Sequence, residues 1–137
     1  MRVRGMEFQI PIPYLRSIPG LPPKPDLSIV QRAWWDVIKL VYAESETPMR
    51  LTTELRIMSG SDIIMAPQRG YECGTGSIEV LSIPDAVTDG EWTRLAQRVS
   101  DVWMSYTDAQ ENLLNVRSHW AKEWLAPLQL LLYFYVL

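Results

Sequence analysis

Two places in the 137-residue chain bring together side chains able to do proton and charge chemistry. The first is Leu51-Thr-Thr-Glu-Leu-Arg-Ile-Met58, a strand-like stretch with Glu54 and Arg56 two residues apart. Strand side chains alternate between faces, so both project from one face with Thr52 and Met58, while Leu55 and Ile57 turn to the other. A carboxylate placed there can accept a hydrogen bond from a substrate hydroxyl, and a guanidinium beside it can stabilise developing negative charge. The ordinary reading of the same pair is a weak surface ion pair. The second place is Asn115-Val-Arg-Ser-His-Trp-Ala-Lys-Glu-Trp124, where the single histidine, His119, precedes Lys122 by three residues. On a helix that spacing puts both on one face. Histidine exchanges a proton near neutral pH and lysine supplies a positive charge; the ordinary reading is a solvated first turn of helix.

Other templates fit poorly. A serine hydrolase would have to recruit His119, yet no Gly-x-Ser-x-Gly elbow occurs, and a histidine-based metal site lacks partners at ligand spacing. The glycines of Gly70-Tyr-Glu-Cys-Gly-Thr-Gly76 run toward a strand, not a helix start, so they read as turn glycines and not as a phosphate cradle. Cys73 is the only cysteine, which excludes an internal disulfide and a thiolate cage and fits a reducing compartment. Thirteen basic against sixteen acidic residues give a net charge of −3 with no basic run, which argues against nucleic acid as a partner.

The elements that must position these groups follow from periodicity. Met6, Phe8, Ile10 and Ile12 alternate with Glu7 and Gln9 as in a half-buried strand, and Pro11 and Pro13 place that strand at a sheet edge. After a Pro-rich connector, Ser28-Ile-Val-Gln31 reads as a capping box. Val30, Ala33, Trp34, Val37, Ile38 and Val41 then recur at helical spacing, in a helix that ends before Pro48. Strands follow over 51–58 and 77–82, with a turn at 59–62 and a loop around Pro67–Gly70 between them; two such neighbours pair antiparallel. Thr88-Asp-Gly-Glu91 is a second capping box, opening a helix whose inward face is Trp92, Leu95, Ala96, Val99, Trp103 and Tyr106. This β-α-β-β-α order implies an α+β fold, a mainly antiparallel sheet with helices packed on one face. A chain of this length forms one domain that buries roughly two-thirds of its unfolded surface. No secretory signal is visible in the first residues, and the apolar run Leu125–Leu137 is short of the roughly 20 residues that cross a bilayer.

Two motifs carry a family resemblance. His119-Trp-Ala-Lys122 resembles the C-terminal His-Trp-Ala/Gly-Lys motif of the aldonolactone oxidases, the D-arabinono-1,4-lactone oxidase-like group of vanillyl-alcohol-oxidase-type flavoproteins. Glu54-Leu-Arg56 resembles that family's Glu-x-Arg strand, and the two occur in the family's order about sixty residues apart. The likeness runs from about Met6 to Trp124 and covers only the cap and C-terminal part of such an enzyme. It implies a substrate-domain fragment of a flavoenzyme cap over residues 1–124, followed by an atypical apolar segment over 125–137. The FAD-binding domain, with its glycine-rich loop, has no counterpart in these residues.

By resemblance the reaction is oxidation of a sugar 1,4-lactone or related polyol, with hydride passing to flavin N5 and oxygen as acceptor. Glu54 then binds the reacting hydroxyl, Arg56 and Lys122 lie near the flavin pyrimidine edge, and His119 orients substrate or assists proton removal. Ser77 and Glu79 share a strand face and line the pocket as substrate-binding residues. The implied partners are the lactone or polyol and a separate FAD-binding domain, without which the chain is inactive. The resemblance also implies an intracellular location, with peripheral membrane or mitochondrial association. The competing expectation is a truncated, non-catalytic remnant that acts as a protein-interaction module through exposed apolar surface.

Overall fold

The computed structural model describes residues 2–15, 19–43 and 48–123. The apolar segment 125–137 therefore lies outside the described residues, as does Trp124. Among the described residues, four strands form one antiparallel sheet: β1 (Arg4–Pro11), β2 (Glu54–Met58), β3 (Thr75–Ser82) and β4 (Arg117–Ser118), in the spatial order β2-β3-β1-β4. The helices α1 (Ser28–Tyr42) and α2 (Asp89–Met104) complete the α+β fold, with one 3-10 turn at Pro84–Ala86.

One face of the sheet is apolar because alternate residues of β1 and β3 meet in register. Met6 faces Val80 and Phe8 faces Ile78, while Ile10 faces Gly76. Onto this face pack Ala33 and Val37 of α1 and Trp92, Leu95, Val99 and Trp103 of α2, all nearly inaccessible to solvent. Phe8 meets Trp103 edge-on at 5.4 Å, and the Trp103 Nε1–H reaches Ala33 O at 3.0 Å, so the indole is buried without an orphan donor. Glycine at 76 permits the approach of α1: a Cβ there would lie 2.5 Å from Val30 Cγ1.

Three local expectations need correction. β1 is not an edge strand, since β3 flanks it on one side and β4 on the other. The prolines are tolerated for a geometric reason. Ile12 N–H points to Gly74 O at 3.1 Å, so alternation turns the Pro11 nitrogen to the opposite side, beyond the end of β4, which pairs only with Phe8 and Gln9. The box at Ser28–Gln31 does not form: Leu27 is the N-cap of α1 and Asp26 Oδ1 accepts the Ser28 N–H at 2.9 Å instead. The box at Thr88 and Glu91 is present in full at the start of α2. Finally, the His119 segment is not helical. It enters as β4 and continues along β1, with His119 N–H on Glu7 O at 2.7 Å and Glu123 N–H on Gly5 O at 3.0 Å.

Candidate functional site

The face of the sheet turned away from the helices is polar, and its register sets the site. Glu54 of β2 lies opposite Glu79 of β3, which lies opposite Glu7 of β1, so three carboxylates form a row across three strands. The next row is Arg56, Ser77 and Gln9, and the one after it Met58, Thr75 and Pro11. Like charges directly opposite one another repel. Cations between them answer that repulsion. Arg56 Nη2 bonds Glu54 and lies 3.5 Å from Glu79, while Lys122 Nζ lies 2.6 Å from Glu79 and 4.0 Å from Glu7. The charges therefore alternate along the row as Glu54, Arg56, Glu79, Lys122, Glu7.

Burial differs along this chain of charges. Glu7 and Glu79 side chains are only 5% and 6% exposed, whereas those of Glu54 and Arg56 are about half exposed and that of Lys122 is one-third exposed. Buried carboxylates need hydrogen bonds as well as countercharge. Glu7 has them: Ser77 Oγ donates to its Oε1, and Gln9 Nε2 donates to the same oxygen at 3.1 Å. Gln9 in turn accepts from Thr75 Oγ1 at 2.6 Å. The hydrogen bond to Glu54, opposed by partial desolvation, raises the Arg56 guanidinium above its ordinary pKa, so it stays charged.

Two straps roof this face. The connection between β2 and β3 folds over it, with its ends drawn together where Ser61 bridges Arg69, and left-handed glycines at Gly70 and Gly74 turn the chain back. The 115–123 segment is the other strap, and the two are clasped. Tyr71 Oη donates to Asn115 O at 2.6 Å, Arg117 Nη1 to Arg69 O at 2.8 Å, and Trp120 Nε1 to Met65 O at 3.0 Å. Arg117 also lies over the Tyr71 ring at 4.4 Å, and burial pushes the Tyr71 phenol up to about 12. At the far end Glu123 is held by Arg4, at 3.0 to 3.2 Å, and by Trp92 Nε1 at 3.1 Å. Lys122 is thus delivered to the glutamates by a neighbour fixed on the opposite side.

Between sheet and straps lies a cavity of about 440 Å³, within the size range of small-molecule sites. Glu7, Gln9, Arg56, His119 and Lys122 supply its polar lining, and Met58, Ala66 and Pro67 its apolar wall. Gln68 also lines it, and its Oε1 is buried with no hydrogen-bond partner among the described residues. His119 Nδ1 accepts the Ala121 N–H at 3.2 Å, which leaves the proton of the neutral ring on Nε2; the ring stacks on Trp120. No group of three or more His, Cys, Asp or Glu side chains among the described residues is placed to hold a metal ion.

Every residue expected from the sequence to form the site lies on this polar side. Arg56, His119 and Lys122 line the cavity, Glu79 binds Lys122 and Arg56, Glu54 binds Arg56, and Ser77 buttresses Glu7. Glu7, Gln9 and Gln68 were not anticipated. The alternation of Glu7 and Gln9 with apolar neighbours was the available signal, but by itself it indicates only the face opposite the core. No family profile, curated protein or solved structure matches the chain.

Proposed function

We propose that this chain provides the substrate pocket of a flavin-dependent oxidoreductase acting on a neutral polyhydroxylated compound, a sugar 1,4-lactone or polyol, as its two motifs resemble those of aldonolactone oxidases. The observation that carries the reading is the mixture of fixed acceptors and donors in the cavity lining. Glu7 is the carboxylate of the lining and Gln68 Oε1 a buried acceptor without a hydrogen-bond partner among the described residues, and they stand beside the donors of Arg56, His119 and Lys122. Such a lining suits a polyhydroxylated ligand, whose hydroxyls both donate and accept. Glu7 and the Gln68 carbonyl accept its hydroxyls, the apolar wall of Met58, Ala66 and Pro67 covers its carbon face, and the His119 Nε2–H donates to one of its oxygens and so orients it.

The residues fit a flavin only along one edge. Arg56 and Lys122 are accessible cations with donors to spare, suited to the pyrimidine side of the ring. The described residues have no glycine-rich turn entering a helix, so on this reading the dinucleotide is held by a domain outside them. When bound, the flavin would supply hydride acceptance, and oxygen would take the two electrons back from it. The protein residues orient the hydroxyl-bearing carbon and hold charge beside it.

The test has two arms. Titration of the chain with D-arabinono-1,4-lactone and with xylitol, read by the fluorescence of half-exposed Trp120 beside His119, is expected to saturate, and Lys122→Ala to abolish the change. Co-expression with a flavin domain is expected to give lactone-dependent oxygen uptake that Glu54→Ala, Arg56→Ala and Lys122→Ala each reduce by at least tenfold. Absence of saturation by either compound, or uptake that survives all three substitutions, overturns the assignment. A non-catalytic interaction module is the second reading, favoured by the consecutive exposed residues Ile63, Ile64 and Met65 on the loop; it predicts that neither compound binds.

A further inference from the structure

β2 is an edge of the sheet among the described residues, and its apolar side chains have no cover. Leu55 and Ile57 belong to the helix-side face, since their register partners are Ile78 and Gly76, yet they are 40% and 59% exposed. The helices cover β1 and β3 and stop short of this strand. An uncovered edge offers a row of backbone donors and acceptors to another strand, and natural sheets normally block such an edge. Here the side chains are instead arranged to complement themselves.

The geometry points to an edge-to-edge pairing of two copies of this chain through β2, antiparallel, about a two-fold axis at Leu55. In that register Leu55 faces its own copy, Glu54 faces Arg56 of the second copy, and Ile57 faces Thr53 with Leu55 on the diagonal. Both charges at each end are matched and the apolar residues meet on one face, with the helices of both copies on the same side. The neighbouring registers are disfavoured. A two-fold axis at Arg56 opposes arginine to arginine, and one at Glu54 opposes glutamate to glutamate. Arg56 and Glu54 remain available for the exchange, each about half exposed and joined to one another only through Arg56 Nη2. The partner copy thereby adds a carboxylate beside Arg56, at the open end of the row of charges. This inference is independent of the lactone reading.

A seam of five residues is small, so the association belongs to the micromolar range. Sedimentation velocity on the full chain is expected to show reversible dimerisation there, weakened at least tenfold by Glu54→Arg or Arg56→Glu alone and restored when the two are combined. Cross-linking fixes the register. In a Cys73→Ser background, Leu55→Cys places its two copies roughly 5 Å apart between Cα atoms, within disulfide reach. Ile57→Cys places its copies roughly 14 Å apart, out of reach. Both positions are exposed, so circular dichroism is expected to show folded variants. A monomer throughout the micromolar range, or cross-linking of Ile57→Cys as readily as Leu55→Cys, overturns the proposal.

Discussion

Replacing Lys122 with methionine isolates the central link of the charge row. The substitution keeps the length of the stem and removes the ammonium that lies 2.6 Å from Glu79 and 4.0 Å from Glu7. Both carboxylates are more than nine-tenths buried, and removing one partner of a buried pair costs about 3–5 kcal/mol. Two features of this site lower that figure. Lys122 is one-third exposed, so water screens the pair, and Arg56 stays 3.5 Å from Glu79 as a second countercharge. A loss of about 2 kcal/mol follows. With an unfolding entropy near 2.1 cal/mol/K per residue, this corresponds to a Tm lower by roughly 7 °C.

Thermal unfolding followed by circular dichroism at pH 7 measures the loss, and a second substitution identifies its origin. Glu79→Gln removes the charge that Lys122 answers, so Lys122→Met combined with Glu79→Gln is expected to recover at least about 1 kcal/mol relative to Lys122→Met. A double variant no more stable than the single one would show that the ammonium contributes packing only. An unchanged Tm in Lys122→Met itself would show that the row of glutamates tolerates its own repulsion. Either result refutes the electrostatic account of this face.

The clasp between the two straps titrates in alkali. Tyr71 ionises at about 12 in the folded chain against about 10 when unfolded, so the stability it contributes is whole below pH 10 and is lost as pH rises through 12. Tyr71→Phe is expected to cost about 1 kcal/mol at neutral pH, through the lost bond to Asn115 O. Its urea-unfolding stability is also expected to fall less steeply between pH 10 and 12, by on the order of 2 kcal/mol; an unaltered slope contradicts the burial of this phenol. Gly76→Ala forces a methyl against Val30, and the overpacking is expected to cost about 1–3 kcal/mol. Adding Val30→Ala relieves the clash, so urea denaturation of the double variant is expected to show less destabilisation than the sum of the singles, whereas strict additivity would deny the close approach of α1 to β3.

Periodicity was enough for the elements that make the helical layer. The apolar spacing of α1 and α2, and the pairing of Thr88 with Glu91, describe interactions within a few residues of one another, which sequence records directly. The parity of Glu54 with Arg56, and of Ser77 with Glu79, was likewise local and held. What could not be read was the register between strands. That Glu7, Glu79 and Glu54 share one row depends on pairings 72 and 25 residues apart along the chain, and no short-range pattern encodes such offsets. β4 is two residues long and has no propensity signal. Its segment lies along β1 because Gly5 and Glu7 carbonyls need donors on that side, which outweighs the helical spacing of His119 and Lys122. Asp26 displaced Ser28 as the capping group for a similar reason: the Tyr14–Pro25 bridge fixes how the chain enters α1.

Stability alone gives no reason for three glutamates in one row. An apolar row of the same volume, roofed by the same straps, would be as stable or more so, because buried ion pairs rarely recover the desolvation of both charges. The arrangement instead provides fixed polarity around a cavity. Glu7 and Glu79 stand on the two central strands, the most firmly paired backbone of the sheet, while Lys122 and His119 ride on a strap tied down at one end through Asn115 and at the other through Glu123. Groups held in this way need not reorganise when charge shifts on a bound molecule, and that preorganisation is the source of most electrostatic catalysis. The half-exposed end of the row, at Glu54 and Arg56, lies on an edge strand and is the part most open to adjustment, by a ligand from one side or by a second copy of the chain from the other.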